Sequence, residues 1–536
     1  MKTKVRAFIF TFVIGVLGYG LTTAQTPKVT SQWESSFNKA IGKNAVYQHF
    51  LGEEQNSFYV MIKKKSGSRF NRTSNYSISK WKNNFQHEKT VALQGELDIR
   101  NVYFIKNETY VLALEGKAKN RSVGFFKFNK SKMTLESVSS YFSDINLNHF
   151  DQLYFSPDSS KILLRTSPQI NLNEKEKYLL AVYDSDFNKL WQKEVITPFQ
   201  RAEFVGNNNR QEFAIDNSGN VFLSGRIYKE ALTKKSKEKE IAYDYAILKV
   251  TQEGENKQLI LKERGLFYNK CFLGIGKNDQ LFAIGFFSDK SDLEKTGAYY
   301  LTVNNEFTEV NGVTLKDFPL KYLTYNKNNK YSKAVIKDIE KGIYTRYKDF
   351  VFNTALFDSN GDILLGAEEI MVYSVSKQTE YGVTYRTDRL YYDAYLFKIN
   401  ANGEFAWLHR IPKFQWAMDN DAVTSTIDLY QADRWSYQAF LKNDYVVVLY
   451  NDRPQNLKIG DDAIKGVKVS QVTKCPAINI TIDNKGNATK TLAPGLSVDD
   501  LKLQTEFGKF ERISNNRGFV TARVKTDSKM GIITVK

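Results

Sequence analysis

Four histidines, His49, His87, His149 and His409, are scattered along the chain. None stands in the His-x-x-x-His spacing that lets one element offer two imidazoles to a zinc ion. No Gly-x-Ser-x-Gly elbow and no glycine-rich phosphate cradle occurs, so nucleophilic hydrolysis and nucleotide chemistry have no sequence support. Adjacent carboxylates at Glu368-Glu369 and Asp499-Asp500 are the side-chain type for acid/base work, but that work needs two carboxyl groups facing each other across a substrate. They read as surface charge. Three loops, Asp216 to Asn220, Asp358 to Asp362 and Asp483 to Asn487, offer oxygen ligands for calcium, yet lack the ladder that ends in a bidentate glutamate. A hairpin turn needs the same residues for backbone reasons. No catalytic residue, metal or cofactor is assigned.

Recognition has better material. Between 316 and 437 the chain carries three long insertions. The first, 316–350, contains SKAVIKDIEKGIYTRY (332–347), whose apolar spacing predicts a short amphipathic helix. The second, 369–392, reads as an overlong hairpin with Tyr373, Tyr381, Tyr385, Tyr391 and Tyr392 beside Lys377, Arg386 and Arg389. The third, 412–437, adds Trp416, Tyr430 and Trp435. Tyr, Trp and Arg dominate binding surfaces, and loops on a rigid scaffold are where such surfaces form. Aromatic cross-strand pairs that only hold a hairpin together are the competing reading. The partner-binding candidates are therefore Tyr373, Tyr381, Tyr385, Arg386, Arg389, Tyr391, Tyr392, Trp416 and Trp435.

What must position these insertions is a repeat. A polar turn followed by an apolar strand recurs eight times: NSFYVMI (56–62), NETYVLAL (107–114), DSSKILL (158–164), DNSGNVFLSG (216–225), KNDQLFAIG (277–285), DSNGDILLG (358–366), KNDYVVVLY (442–450) and NNRGFVTARV (515–524). The strands after these turns begin near 57, 109, 161, 220, 280, 362, 444 and 518. Most units go on to a second hairpin, as in YLLAVYDSDFNKLWQKEV (178–195) and YDAYLFKINANGEFAWLHRI (392–411). Units of four strands that cannot close a core alone must stack on their neighbours. Runs such as QLFAIGFF (280–287) and DYVVVLY are apolar on both sides of a strand, which demands burial on both faces of a sheet.

The fold class is thus all-β: one β-propeller of eight four-stranded blades, with seven as the alternative. The last unit is one strand short, ending in MGIITVK (530–536), and a segment around 29–37 is expected to pair there and close the ring.

FSPDSSKILL (155–164) resembles the F-S-P-D-G-x-x-I signature of TolB-like, WD40-type propeller repeats. AIDNSGNVFLSG (214–225) resembles the D-x-x-G-N-x-Y-x-x-G pattern of bacterial secreted propeller repeats. Ser159 stands where the first motif has glycine, and no Trp-Asp dipeptide ends a unit. The resemblance implies the fold and carries over no catalytic residue.

Residues 1–24 combine Lys2, Lys4 and Arg6 with an apolar stretch and the small residues Thr22 and Ala24, the pattern of a secretory signal peptide. The domain expected after cleavage is 25–536. No cysteine follows the apolar stretch, so no lipid anchor is expected, and no later segment is apolar enough to span a membrane. The formal charge of +17 suits anionic partners, which outside the cytoplasm are envelope proteins, lipid headgroups, glycans or cell-wall polymers rather than nucleic acid. The basic runs 63–65 and 234–239 read as solvated turns. Cys271 and Cys475 are too few for a disulfide framework and are expected to be buried, unpaired thiols. The expectation is an exported, non-enzymatic scaffold, periplasmic or outer-membrane-associated, docked on a secretion or motility complex, with extracellular release as the alternative placement. The alternative function is an enzyme or glycan binder working through the central channel.

Overall fold

A computed structural model describes residues 27–33, 45–66, 73–95, 97–116, 122–139, 150–166, 174–200, 213–230, 243–254, 256–276, 279–288, 297–319, 344–379, 382–419, 436–457, 467–468, 475–493, 496, 504–524 and 527–536. The leader 1–24 lies outside them, as do 234–239, Asp499-Asp500, Tyr381, Tyr430 and Trp435.

Eight antiparallel sheets follow one another along the chain: blade 1 (45–92), blade 2 (97–139), blade 3 (150–200), blade 4 (213–261), blade 5 (267–317), blade 6 (344–411), blade 7 (437–492) and blade 8 (504–535). Their second strands begin at Ser57, Glu108, Lys161, Val221, Leu281, Ile363, Tyr445 and Arg517, each within one residue of the position read from the repeat. Seven sheets have four strands. Blade 6 has six.

The core is not one mass but eight, each shared by two neighbouring blades and one of them joining blade 8 to blade 1. The strand Leu281–Ser288 shows how: all eight residues are buried. Phe282, Ile284 and Phe286 pack against blade 6, while Leu281, Ala283 and Phe287 pack against blade 4. Period-two alternation thus feeds two seams at once, which only face-to-face stacking in a closed circle satisfies. Outer strands need no such filling, and Ala488–Leu492 is almost entirely exposed. First strands of neighbouring blades touch around the axis.

The ring closes through the strand Val29–Trp33, which pairs antiparallel with the last strand, Asp527–Val535, from Val29 opposite Val535 to Trp33 opposite Gly531. Backbone bonds between Lys28 and Lys536 at 3.1 and 3.0 Å extend the match. Blade 8 therefore receives its fourth strand from the other end of the chain, and its outer edge is covered.

Meander order fixes two rims. First-to-second and third-to-fourth turns lie on one; second-to-third links and blade-to-blade connections begin and end on the other. The turn rim is built from repeated Asx turns. In the Asp358 turn, Oδ1 accepts the N–H groups of Asn360 at 2.8 Å and Asp362 at 2.9 Å, and Gly361 takes φ 90°. Asp483 bonds Lys485 and Asn487 the same way. Each of these carboxylates orients its own backbone through Oδ1. Neighbouring turns also interlock: the Asp158 N–H donates to Asn217 Oδ1, and the Asn217 N–H to Asp279 Oδ1.

Two sequence expectations need correction. The stretch 344–347, read as part of a helix, opens the strand Tyr344–Phe357, because it is held by pairing with Val372 to Val375; 332–343 lies outside the described residues. Lys63 to Lys65 are not at a turn but within the strand Ser57–Ser66.

Candidate functional site

Blade 6 breaks the pattern on the connection rim. Its first three strands, Tyr344–Phe357, Ile363–Thr379 and Gly382–Ile399, have 14, 17 and 18 residues and continue as a sheet past the body of the blade. The strand Gln415–Asp419 joins this sheet beside Thr387 to Tyr391, and Val467–Lys468, from a connection within blade 7, joins it in parallel. Connections of two blades are thereby knitted into one projecting platform.

Two β-bulges mark where blade becomes platform. Asn353 is the extra residue of the first strand, and Tyr392 with Asp393 oppose Glu369 in the third. A bulge redirects side chains, and here Asn353 and Asp393 enter a buried polar network. The Lys413 ammonium pairs with Glu368 Oε1, both side chains 1% exposed. Ser436 Oγ donates to Glu368 Oε2 at 2.6 Å, and Asn353 Nδ2 donates to the same oxygen at 3.0 Å. Arg410 Nε donates to Asp393 Oδ2 at 2.8 Å, and the Lys413 N–H to Asp393 Oδ1 at 3.2 Å. Burial pushes the Asp393 carboxyl up, and Arg410 opposes that shift.

The network crosses blade boundaries. Gln415 Oε1 accepts from Lys413 Nζ at 3.2 Å and from the Ser436 N–H at 3.1 Å, while its Nε2 donates to the Asn451 carbonyl at 2.8 Å. Asn451 Nδ2 reaches the Thr505 carbonyl of blade 8 at 2.7 Å. Ions taken out of water cost several kcal/mol each unless paired and fully bonded, so every member holds the others in one geometry. The arrangement fixes the platform's root. Glu368 is shared among an ammonium, a hydroxyl and an amide, which together hold it in place.

Glu368 and Glu369 are therefore not surface charge as read from sequence; they are 1% and 2% exposed. The partners of Glu368 lie 15 to 68 residues away along the chain. The available signal was an acid interrupting a run apolar on both faces, as in ILLGAEEIMV and YYDAYLF.

The predicted binding residues are divided by register. Tyr373, opposite Asp388, shares a face of the platform with Arg386 and Trp416, the latter opposite Leu390. Tyr385, Arg389 and Tyr391 fall on the other face. Tyr391 and Tyr392 are buried at the root, where Tyr391 lies under Lys413 Nζ at 5.6 Å and Tyr392 packs on Phe414 at 5.2 Å. Among the described residues no three His, Cys, Asp or Glu side chains are grouped to hold a metal, and no helix is long and apolar enough to cross a membrane.

No known protein family matches the sequence, and no curated protein matches it. Solved structures similar to the chain include the β-propeller domain of the Trilobed protease from Pyrococcus furiosus, at 9% identity and TM-score 0.33 over 72% of this chain and 98% of that one. Acylaminoacyl peptidase from Pyrococcus horikoshii gives 9% identity and TM-score 0.32, over 79% of this chain and 59% of the peptidase. Prolyl oligopeptidase B from Galerina marginata gives 8% and 0.32, over 91% and 56%.

Proposed function

We propose that the chain is an exported, non-enzymatic propeller that grips a protein of the cell envelope through the platform of blades 6 and 7. The observation that carries this reading is the continuation of three blade strands into a sheet whose root is locked by Glu368, Lys413, Asp393 and Arg410. Folding alone asks for a short turn between the second and third strands; a supported projection is what a rigid scaffold uses to meet a partner. Tyr373, Arg386 and Trp416 on one face, and Tyr385 and Arg389 on the other, are the contact candidates; the buried Tyr391 and Tyr392 support them. The basic charge and signal-like leader favour a periplasmic site on a secretion or motility complex.

The test shortens the platform without touching its root. Val375 and Arg386 are cross-strand partners, so replacing 376–385 with an Asn-Gly turn closes the hairpin in register. Co-purification from solubilised envelopes should lose one specific partner in this variant. Identical recovery of every partner, or fractionation of the native protein to the cytoplasm, removes the reading.

A further inference from the structure

We propose that the cleft between the turns of blades 4 and 5 is a binding site for one neutral sugar ring of a glycan. It lies on the turn rim, opposite the platform, and is independent of the docking role.

Register sets the cleft apart from two of the other seams. Blades 3 and 6 each place a tryptophan opposite the residue two before their third-to-fourth turn: Trp191 opposite Val182 and Trp407 opposite Lys398. Each indole packs into the seam with the next blade. In blade 4 the turn starts at Thr251, the residue two before it is Lys249, and its partner is Lys257. Where the seams after blades 3 and 6 hold an indole, the one after blade 4 carries an open space of about 180 Å³. That is well below the ~300–1,000 Å³ of pockets for drug-sized ligands, and suits a single ring.

The lining selects the ligand. Asp216 and Asp279 only accept hydrogen bonds and Lys249 only donates; the Asn304 amide, also in the lining, is engaged within its own turn, its Nδ2 donating to Thr308 Oγ1 at 2.7 Å and its Oδ1 accepting the Thr308 N–H at 2.8 Å. Phe222 and Phe307, ring centroids 5.9 Å apart, supply an apolar floor. A compact ligand of many hydroxyls, each able to donate and accept, with an apolar C–H face, matches that set. A metal ion or guanidinium would meet the Lys249 ammonium. Asp216 is rigidly held, its two oxygens accepting from the Asn220 N–H at 2.8 Å and Asn220 Nδ2 at 2.7 Å, with further lone pairs free to accept. Asp279 is positioned by the Asn217 N–H at 3.3 Å.

Saturation-transfer NMR on the full-length protein would use methyl glycosides of glucose, galactose and N-acetylglucosamine at millimolar concentration, with N-acetylarginine methylamide as the cationic comparison. Transfer to the ring protons of at least one glycoside is expected. Asp279→Ala should weaken it at least about tenfold, a loss of one good polar contact. Lys257→Trp, which introduces the indole that blades 3 and 6 carry and removes no lining group, should abolish it while leaving the melting temperature unchanged or raised. Absence of transfer to every glycoside, binding of the arginine amide alone, or transfer surviving in Lys257→Trp would each overturn the assignment.

Discussion

Ser436 Oγ lies 2.6 Å from Glu368 Oε2, joining the start of blade 7 to the second strand of blade 6 across 68 residues of chain. Ser436 sits at φ 80°, a left-handed conformation that side-chain-bearing residues rarely adopt. Its N–H is simultaneously fixed on Gln415 Oε1. The backbone is thus held in a costly conformation by the bonds it makes, and the loss of Glu368 would release it.

The first prediction concerns that pair. Glu368→Ala leaves Lys413 buried without its counter-ion and should cost about 3–5 kcal/mol in urea unfolding. Replacing both partners, Glu368→Leu with Lys413→Met, removes the uncompensated charge and should cost clearly less than Glu368→Ala alone. A double variant as unstable as the single one would mean that the remaining bonds to Ser436 and Asn353 carry the interaction instead.

Ser159 gives a prediction of the opposite sign. Its φ is 57°, in the first-to-second turn of blade 3, where Gly219 and Gly361 occupy the matching left-handed positions of blades 4 and 6. A Cβ there costs roughly 1–2 kcal/mol, offset in part by the greater freedom of glycine in the unfolded chain. Ser159→Gly should raise stability by up to about 1 kcal/mol, read as a higher urea midpoint at unchanged slope. A lower midpoint would show that the Ser159 side chain makes a compensating contact.

Ser159 also shows what the sequence revealed and what it hid. Turn chemistry is local: the Asx at the start of each turn and the glycine three residues later are visible in DNSG, DSNG and DNKG, so strand starts could be placed closely. Two-sided burial was legible in QLFAIGFF for the same reason, since every residue of that strand is apolar or small. Ring closure by Val29–Trp33 followed from counting strands in the last unit. The platform root was different. Asn353 and Asp393 enter it through bulges, and a bulge changes which face a residue occupies without changing its type. Lys413 and Ser436 meet Glu368 only after three strands and a blade boundary have been assembled. The cleft at Lys257 required comparing one register position across blades, which needs the pairing to be known first.

Two aspartates with the same turn geometry should respond to pH in opposite directions. Burial draws the Asp184 carboxyl upward, but the bonds from Asn188 and Asp186 outweigh it and hold it below the usual carboxylate range. Asp184 therefore contributes stability above its unfolded pKa, and that contribution is lost as pH falls through the depressed value. Asp216 is more deeply placed, and burial outweighs its bonds to Asn220 and pushes it up. Its ionisation opposes folding increasingly as pH rises from the unfolded value through the raised one. In urea titrations between about pH 3 and pH 7, Asp184→Asn should lose ground to the native protein as pH rises, and Asp216→Asn should gain. Parallel profiles for the two variants would contradict the burial argument.

The two thiols should be inert while the ring is closed. Cys271 is 0% exposed, 3.3 Å from Ser224 Oγ and 3.7 Å from the Tyr245 hydroxyl. Cys475 is 2% exposed, and burial, aided by the nearby Asp452 carboxylate, pushes its thiol up to about 12. Only the thiolate reacts, and a pKa near 12 leaves on the order of one Cys475 in 10⁵ ionised at neutral pH before access is considered. Maleimide should therefore add nothing to the folded protein and two equivalents in denaturant, one for each free cysteine. Cys475 stands beside blade 7's third strand, Ala477–Ile482, so partial labelling there with Cys271 silent would report local opening of that seam. Labelling of both at comparable rates would instead indicate that the whole ring opens, contrary to the closure made by Val29–Trp33.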